Sequence, residues 1–353
     1  MTRKIRVLVI DDSALVRQLL AKGLALDPGI EVVGTAADPY MARDKIVQTN
    51  PDVLTLDVEM PRMDGVEFLR RLMPQYPLPV VMVSSLTQRG KQITIDALEA
   101  GAVDFVAKPT VNVAQGLTAM LTELRAKIKI ASTANVSHWK SKRATLTKPK
   151  AVVSAGSLAE STDKVIAIGA STGGTEAIKK VVTLFPSTAP GVVIVQHMPA
   201  GFTKMFADRL NQLCAMEVKE AASGDRIMPG RILVAPGGLQ MKVIRSGGIY
   251  QVSCQPGPNV SGHCPSVDVM MNSVAQQVGA NAVGVMLTGM GGDGSDGMLA
   301  MHRAGAKNLA QDEATSVVFG MPKVAYEKGG AERLVPIDEI ASEVIKLFSK
   351  RRA

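Results

Sequence analysis

A loop of small residues that contains a serine is the first part of this sequence that could do chemistry. Residues 165–174 have the sequence VIAIGASTGG, and the segment TEAIKKVV follows them. An apolar run, a turn of small residues and a helical pattern are typical of a buried strand, a tight turn and a helix start. Glycine-rich turns of this kind either bind a phosphate on backbone N–H groups or expose a nucleophile.

Phosphate-binding patterns do not fit this loop. A P-loop requires a lysine directly after its last glycine, whereas the first lysine after this loop is Lys179. The dinucleotide motif requires a glycine where the chain has Ser171, and no acid ends the next strand. Gly169, Ser171 and Gly173 instead have the spacing of a nucleophile elbow. The loop therefore predicts Ser171 as a nucleophile.

A serine hydroxyl is a weak nucleophile unless a base activates it, and the chain has four histidines. His138 lies in a segment of linker composition, and His302 lies inside a helical pattern. His197 follows the apolar run GVVIVQ, which is the next predicted strand after the serine loop. Because neighbouring parallel strands end at one sheet edge, we predict His197 as the base. His263, in a loop with glycine, cysteine and proline, is the alternative base.

An acid is needed to orient the base, and two aspartates follow the apolar run AVGVM in the segment LTGMGGDGSDG. Asp293 is closer to the strand end, whereas Asp296 fits the first turn of the next helix, where the helix dipole favours an acid. We therefore predict Asp293. The order Ser, His, Asp differs from that of α/β-hydrolases, so the elbow spacing does not assign that fold. Cys264 beside His263 is a weaker alternative nucleophile.

A second group of polar residues ends the apolar runs of the N-terminal part. Asp11 and Asp12 end the first run, Asp57 the third, Ser84 the fourth and Lys108 the fifth. At one sheet edge, three carboxylates repel one another unless a cation such as Mg²⁺ lies among them. A carboxylate beside Mg²⁺ and an amine can attack a phosphoryl group, whose oxygens the lysine and the serine would contact.

Apolar runs alternate with helical patterns over residues 1–125, and the runs are IRVLVI, EVVGTA, DVLTLD, PVVMVS and DFVAKP. They are apolar throughout, which is typical of a parallel sheet covered on both faces. We predict a flavodoxin-like, doubly wound (βα)5 domain over this range. Residues 126–162 are predicted to be a linker, because Ser, Thr, Ala and Lys dominate and periodicity is lost. Its tryptophan, Trp139, is expected to be partly buried in an interface.

A second α/β pattern occupies residues 163–350. Four apolar runs, KVIAIGAS, GVVIVQHM, RILVAPG and AVGVMLTG, alternate with helical patterns and predict a mostly parallel sheet. The segment QMKVIRSGGIYQVSC has two alternating runs around Gly247 and Gly248 and predicts a β-hairpin.

The cysteine count and the N-terminus limit where the protein works. Three cysteines without paired spacing do not indicate a disulfide framework. The N-terminal sequence MTRKIRVLVIDD has a short apolar run that ends in two acids, unlike a signal peptide or a membrane span. We expect a cytoplasmic protein that is not inserted in a membrane.

The motifs VLVIDDSALVRQLL, LDVEMPRMDGVEFL, VVMVSSLT and GAVDFVAKP resemble the receiver domain of bacterial response regulators. The resemblance implies that Asp57 accepts a phosphoryl group from a histidine kinase. It also implies that Asp11 and Asp12, with Asp57, hold Mg²⁺. Ser84 and Lys108 match the residues that couple phosphorylation to a conformational change in that family.

The second part resembles the catalytic domain of the chemotaxis protein-glutamate methylesterases. The resemblance rests on the motifs IAIGASTGGTEAI, VVIVQHMPAGFTKMFADRLN, GRILVAPGG, HCPSVDVMMNSVA and GVMLTGMGGDGSDGM. It implies a triad of Ser171, His197 and Asp293, with Thr172 and Met290 at positions that stabilise the oxyanion. The implied reaction is hydrolysis of γ-glutamyl methyl esters on methyl-accepting chemotaxis receptors, together with deamidation of receptor glutamines, and no cofactor is implied in the esterase site.

Two other functions stay open at this point. A receiver-regulated hydrolase of another ester or amide would use the same triad, because a triad does not define its acyl group. A DNA-binding response regulator would account for the net charge of +8. The clearest basic cluster lies in the predicted linker, however, and no helix-turn-helix pattern follows residue 163. We therefore expect no nucleic-acid partner.

Overall fold

The chain forms two compact units, Met1–Leu146 and Thr147–Ala353. The structure is a computed structural model, and it describes residues 3–85, 87–109, 113–141 and 163–349. None of the helices among these residues combines the length and the apolarity needed to cross a lipid bilayer. Most of the predicted linker lies outside the described residues.

The first unit is a parallel sheet with helices between its strands. Its strands are β1 (Ile5–Ile10), β2 (Ile30–Ala36), β3 (Val53–Asp57), β4 (Val80–Ser84) and β5 (Asp104–Ala107). Its helices are α1 (Ala14–Ala25), α2 (Pro39–Thr49), α3 (Gly65–Leu72), α4 (Gln88–Glu99) and α5 (Val113–Ala131). The strand order β2-β1-β3-β4-β5 and the parallel pairing confirm the predicted doubly wound fold.

Local sequence determines where these helices begin. The side chains of Ser13, Asp38, Asp64 and Thr87 each accept a hydrogen bond from a backbone N–H in the first turn of α1, α2, α3 or α4. These caps satisfy N–H groups that have no partner within the helix. Each of these helices therefore starts shortly after a strand, at the edge where the carboxyl ends of the strands lie.

The end of the first unit extends past the expected boundary at residue 125. Helix α5 continues to Ala131, and a short 3₁₀ helix follows at Ser137–Ser141. Trp139 is half-buried, and a Cβ added to Gly101 would lie 2.9 Å from its ring. The tryptophan therefore packs within the first unit, against the residues around Gly101.

The second unit has a larger parallel sheet and a separate hairpin. Its strands are β6 (Val165–Ala170), β7 (Gly191–Gln196), β8 (Glu217–Glu220), β9 (Arg231–Val234), β10 (Gln240–Ser246), β11 (Ile249–Gln255), β12 (Ala282–Met286), β13 (Lys307–Gln311) and β14 (Arg333–Val335). Its helices are α6 (Gly174–Val182), α7 (Phe202–Leu213), α8 (Val267–Gln277), α9 (Ser295–Arg303), α10 (Met321–Glu327) and α11 (Ile337–Ser349).

Strand order in the larger sheet is β14-β13-β12-β6-β7-β9-β8, and each pairing between described strands is parallel. Strands β10 and β11 form the predicted antiparallel hairpin, with its turn at Gly247 and Gly248. Strand β6 lies between β12 and β7, so the loops after these strands meet at one edge. Ala170 pairs with Gln196, and Gly169 pairs with Met286, so the ends of the three strands are in register.

Candidate active site

Ser171 lies in the turn between β6 and α6. Its N–H donates to the carbonyl of Thr288 at 3.0 Å, which ties the turn to the segment after β12. Gly173, the N-cap of α6, has a φ of 76°, a left-handed conformation that favours glycine. A Cβ at this glycine would also lie 2.6 Å from Val317. The local geometry therefore requires the glycine that follows Thr172, as expected for a nucleophile elbow.

The glycine loop after β12 lies directly against Ser171. A Cβ added to Gly289 would lie 2.8 Å from the Cβ of Ser171, so this close approach requires glycine. Thr288 Oγ1 donates to the carbonyl of Thr172 at 3.0 Å. Thr172 is buried, whereas Met290 is 47% exposed. Of the two predicted oxyanion residues, Thr172 directly follows Ser171 in the turn. Met290 directly follows Gly289, the glycine that approaches Ser171.

His197 directly follows β7, and its N–H donates to the carbonyl of Ala170 at 3.2 Å. Its side chain is buried, and Nε2 lies 2.7 Å from Oδ2 of Asp293. Nδ1 is buried as well and has no hydrogen-bond partner among the described residues, so Ser171 Oγ does not bond to it in this structure. An Nε2–H that donates to the carboxylate leaves Nδ1 as the nitrogen that can accept a proton.

Asp293 lies at the N-terminus of α8, although it precedes α9 in the chain. Its Oδ1 accepts from Ser266 Oγ at 2.7 Å and from Asp268 N at 3.1 Å, and its Oδ2 accepts from Val267 N at 2.7 Å. Burial raises the pKa of this carboxyl, but the hydrogen bonds from His197 and Ser266 outweigh it and lower the pKa to about 2. The carboxylate is therefore charged and held in place.

Asp268 completes a reciprocal arrangement between the two helices. It lies in the first turn of α8, and its Oδ1 accepts from Gly297 N in α9 at 2.8 Å. Asp293 thus satisfies N–H groups at the start of α8, the helix that contains Asp268. Asp268 in turn satisfies an N–H group at the start of α9, the helix that follows Asp293 in the chain. Burial raises the pKa of Asp268, and the nearby charge of Asp293 adds to this effect. The pairing keeps the loop of Asp293 against α8.

The two residues that compete with the predicted base and acid have other partners. Asp296 lies in the first turn of α9 and forms an ion pair with Lys328, at 2.6 Å. His263 stacks on the ring of His197, with ring centroids 3.6 Å apart and planes that differ by 10°. Of the candidates at this strand edge, His197 and Asp293 are the histidine and the aspartate that the structure brings into hydrogen-bond contact.

A second constellation lies at the strand ends of the first unit. Lys108 Nζ lies 3.0 Å from Asp11 Oδ2 and 2.9 Å from Asp57 Oδ2. Carboxylate oxygens of Asp11, Asp12 and Asp57 all lie within 4.8 Å of one another. Ser84 is buried, and its hydroxyl donates to the carbonyl of Gly90 at 3.2 Å. The acids and the lysine therefore meet as predicted, whereas the serine hydroxyl bonds to the first turns of α4, where it also accepts from Thr94 Oγ1 at 2.6 Å.

Asp57 is buried although it lies at the end of a strand, and this burial changes the pKa of its carboxyl. It raises the pKa of Asp57 to about 6, and the charge of Asp11 adds to the rise, although the Lys108 ammonium works against it. Burial also disfavours the charged form of Lys108, but the two carboxylates outweigh it and raise the pKa of the amine. A site with this excess of carboxylate oxygens suits a hard divalent cation such as Mg²⁺.

Comparison with known proteins assigns the family. Residues 166–344 match CheB methylesterase, and residues 7–127 match the response regulator receiver domain. The chain is 74% identical to the protein-glutamate methylesterase/protein-glutamine glutaminase of Syntrophotalea carbinolica, with 100% of both chains covered. The chain belongs to the CheB methylesterase family. It is a hydrolase with a receiver domain, and this membership favours the hydrolase interpretation over the DNA-binding alternative.

Other members of the methylesterase family agree with this assignment. The protein of the same name from Sulfurimonas denitrificans is 55% identical, with 99% of each chain covered. Among solved structures, the CheB methylesterase catalytic domain of Thermotoga maritima matches with a TM-score of 0.51 and 34% identity, over 52% of this chain and 98% of that chain. The resemblance inferred from the sequence motifs and the predicted α/β fold are both confirmed.

Three residues of this methylesterase-family site escaped the sequence analysis. Gln196 is buried, and its Nε2 donates to the carbonyls of Ser171 at 3.0 Å and His197 at 3.2 Å. Ser266 bonds to Asp293, and Thr288 bonds to the serine turn. Gln196 had one visible signal, since it is a polar residue that ends an apolar run directly before the predicted base. Ser266 and Thr288 had none, because hydroxyl residues are common at helix starts and strand ends.

Replacement of Cys264 by serine is expected to leave esterase activity within about twofold of the wild-type rate. Burial raises the pKa of Cys264, so the thiol is protonated at neutral pH and is a poor nucleophile. Initial rates of ester hydrolysis at pH 7 measure the activity of the variant. The same rates for the wild type, before and after treatment with iodoacetamide, measure whether alkylation of thiols affects activity. Loss of activity in Cys264→Ser would revive the cysteine alternative. Cys254→Ser, at a buried cysteine of the hairpin, is the matched control.

Proposed function

We propose that this chain hydrolyses γ-glutamyl methyl esters on methyl-accepting chemotaxis receptors and deamidates receptor glutamines, under control of phosphorylation at Asp57. Ser171, His197 and Asp293 are the proposed nucleophile, base and orienting acid. The observation that carries the proposal is the 2.7 Å bond between His197 and Asp293, at the strand edge where the serine elbow lies. The names of the relatives as methylesterases and glutaminases support the substrate class.

In the first step, Ser171 Oγ attacks the ester carbonyl while His197 Nδ1 takes its proton. The step requires a hydrogen bond between Ser171 Oγ and His197 Nδ1. Catalytic hydrogen bonds of this kind often form only when substrate is bound. Asp293 holds Nε2–H and stabilises the imidazolium that results. In the more familiar triads the acid binds Nδ1 instead, so the imidazole would work here from its other nitrogen.

Collapse of the tetrahedral intermediate then forms the acyl-enzyme. His197 donates its proton to the leaving methoxide, which departs as methanol, or to the leaving amide nitrogen, which departs as ammonia. Water attacks the acyl group with His197 as base, and glutamate is left on the receptor. Backbone N–H groups at Thr172 and Met290 are the proposed oxyanion donors, each worth on the order of 3 kcal/mol.

Methanol release from methylated receptor membranes tests the proposal directly. The full chain should release methanol, and a small phosphodonor with Mg²⁺ should raise the rate. Release of methanol from small esters but not from receptor membranes would favour the alternative, a receiver-regulated hydrolase of another ester. Absence of both activities would contradict a triad at this site.

Asp57 is the proposed phosphoacceptor, with a histidine kinase as the donor. The closeness of the carboxylates of Asp11, Asp12 and Asp57 supports a Mg²⁺ site, and Lys108, whose Nζ lies 2.9 Å from Asp57 Oδ2, would contact an incoming phosphoryl oxygen. When bound, Mg²⁺ neutralises charge on the phosphoryl group. The Ser84 hydroxyl would exchange its bond to Gly90 for one to the phosphoryl group, which links phosphorylation to the position of α4.

Replacement of Asp57 by asparagine is expected to abolish the response to phosphodonor. The wild-type chain should be activated on the order of tenfold, a typical size for coupling between two sites. In Asp57→Asn the ratio of rates with and without phosphodonor should be one, because an amide cannot form an acyl phosphate. Asp44→Asn, at an exposed acid of α2, is the matched control and should respond like the wild type. Activation that persists in Asp57→Asn would assign the phosphoacceptor elsewhere.

A further inference from the structure

The imidazole of His263, which the proposed mechanism does not use, lies flat against the imidazole of His197. The ring centroids are 3.6 Å apart, and the planes differ by 10°. Centroids of aromatic side-chain pairs are usually about 4.5–7 Å apart, so these two rings overlap over most of their faces. One face of the proposed base is therefore covered by a second ring.

This contact restrains a motion that the other contacts of His197 leave free. The bond from Nε2 to Asp293 Oδ2 sets the direction of one nitrogen, at 2.7 Å. A ring held at one nitrogen can still turn about that bond, and the χ2 angle of histidine has a broad distribution. Such a turn moves Nδ1, which has no hydrogen-bond partner among the described residues. The ring of His263 blocks the turn on the side that it covers.

His263 is itself presented by a tight turn. The backbones of Val260 and His263 exchange two hydrogen bonds, at 3.0 and 2.9 Å. The two residues between them, Ser261 and Gly262, have φ values of 53° and 85°, and positive φ at both positions is typical of a type I′ turn. Nε2 of the buried Gln240 donates to the carbonyl of His263 at 3.2 Å. The backbone that carries the stacking ring is therefore held both by the hydrogen bonds to Val260 and by the bond from Gln240.

We infer that His263 is a positioning residue, which holds the imidazole of His197 in the plane that presents Nδ1 to Ser171. The inference rests on the proposed function, because it takes His197 as the base. The role requires a flat ring at this place and no proton transfer by His263. If His263 were the base itself, its ring nitrogen would be indispensable.

Two substitutions in the full chain separate these roles, and a third is the control. His263→Phe keeps a flat ring and removes both nitrogens, whereas His263→Ala removes the ring. His302→Ala changes a histidine of α9 whose Nδ1 lies 3.5 Å from Glu332. The first measurement is the rate at which a fluorophosphonate probe labels Ser171, which reports an activated serine without any receptor. The second is kcat and KM for methanol release from methylated receptor membranes.

His263→Ala is expected to lower the labelling rate and kcat on the order of 10- to 100-fold with KM within about twofold, since small misplacement of a catalytic group has effects of this size. His263→Phe should recover most of this loss, to within about threefold of the wild type, and His302→Ala should match the wild type. Thermal melting of each variant shows whether it is folded. A slow His263→Ala with a wild-type melting midpoint supports the positioning role.

Three outcomes would overturn the inference alone, and a fourth would overturn the proposed function as well. Wild-type rates in His263→Ala would show that the stacked ring is dispensable. A His263→Phe variant that melts like the wild type but is as slow as His263→Ala would show that a nitrogen is needed. A loss of activity in His263→Ala that equals the loss of folded protein would leave only a structural role. A wild-type chain that the probe does not label at Ser171 would refute the proposed function and this inference with it.

Discussion

Replacement of Ser171 by alanine is expected to lower methanol release and glutamine deamidation together, by at least about 10⁴-fold. Both reactions begin with attack by the same hydroxyl, so they should fall in parallel. Alanine retains the backbone N–H that donates to Thr288, and Ser171 is only half-buried, so the fold should be unchanged. Methanol and ammonia released from receptor membranes measure the two activities, and far-UV circular dichroism measures the fold.

Ser187→Ala is the matched control for this experiment. Ser187 is an exposed serine of the same unit, and its substitution should leave both activities and fluorophosphonate labelling at the wild-type level. Esterase activity above about 1% of the wild type in a folded Ser171→Ala protein would show that another group is the nucleophile. Loss of esterase activity with retention of deamidation would show that the two reactions use different sites.

Replacement of Asp293 by asparagine is expected to lower kcat on the order of 10⁴-fold, the effect of the same change in well-studied serine hydrolases. The carboxylate accepts four hydrogen bonds, one of them from His197. An amide nitrogen facing Nε2 would instead donate to it, so the ring proton would move to Nδ1. A protonated Nδ1 cannot take the proton of Ser171. Steady-state rates with receptor membranes measure the loss.

Asp296→Asn is the matched control, because Asp296 follows shortly after Asp293, in the first turn of α9, and is paired with Lys328 at the surface. It should keep activity close to that of the wild type. A folded Asp293→Asn protein with more than about a tenth of the wild-type kcat would contradict the assignment of the acid.

The lowered pKa of Asp293 also predicts how this residue contributes to stability as the pH changes. A carboxyl whose pKa falls from about 3.8 to about 2 on folding stabilises the folded state above about pH 4 and loses this contribution as the pH falls through about 2. The difference in melting temperature between wild type and Asp293→Asn should therefore shrink as the pH falls below about 4. A difference that does not shrink as the pH falls from about 4 to about 2 would contradict a carboxyl with a lowered pKa.

Much of the fold could be predicted because apolar runs mark buried parallel strands. The five strands of the first sheet and the pair around Gly247 and Gly248 were visible in this way. Strand β13 was not, because buried Asn308 and Gln311 make it look polar. Their side chains accept hydrogen bonds from the backbone N–H groups of Gly284 in β12 and of Thr288 just after it, so tertiary partners compensate their burial. Such partners lie outside any local pattern.

The sequence alone determined the two α/β domains, the candidate nucleophile and the strand-end residues, because residue type and chain position imply which side chains share a sheet edge. Only the tertiary structure decided which nitrogen of His197 faces Asp293 and which helix receives the carboxylate. It also brought Gln196 to the carbonyls of Ser171 and His197, and His263 to the face of the His197 ring. These contacts depend on side-chain directions and on loops distant in the chain, and spacing along a sequence carries neither.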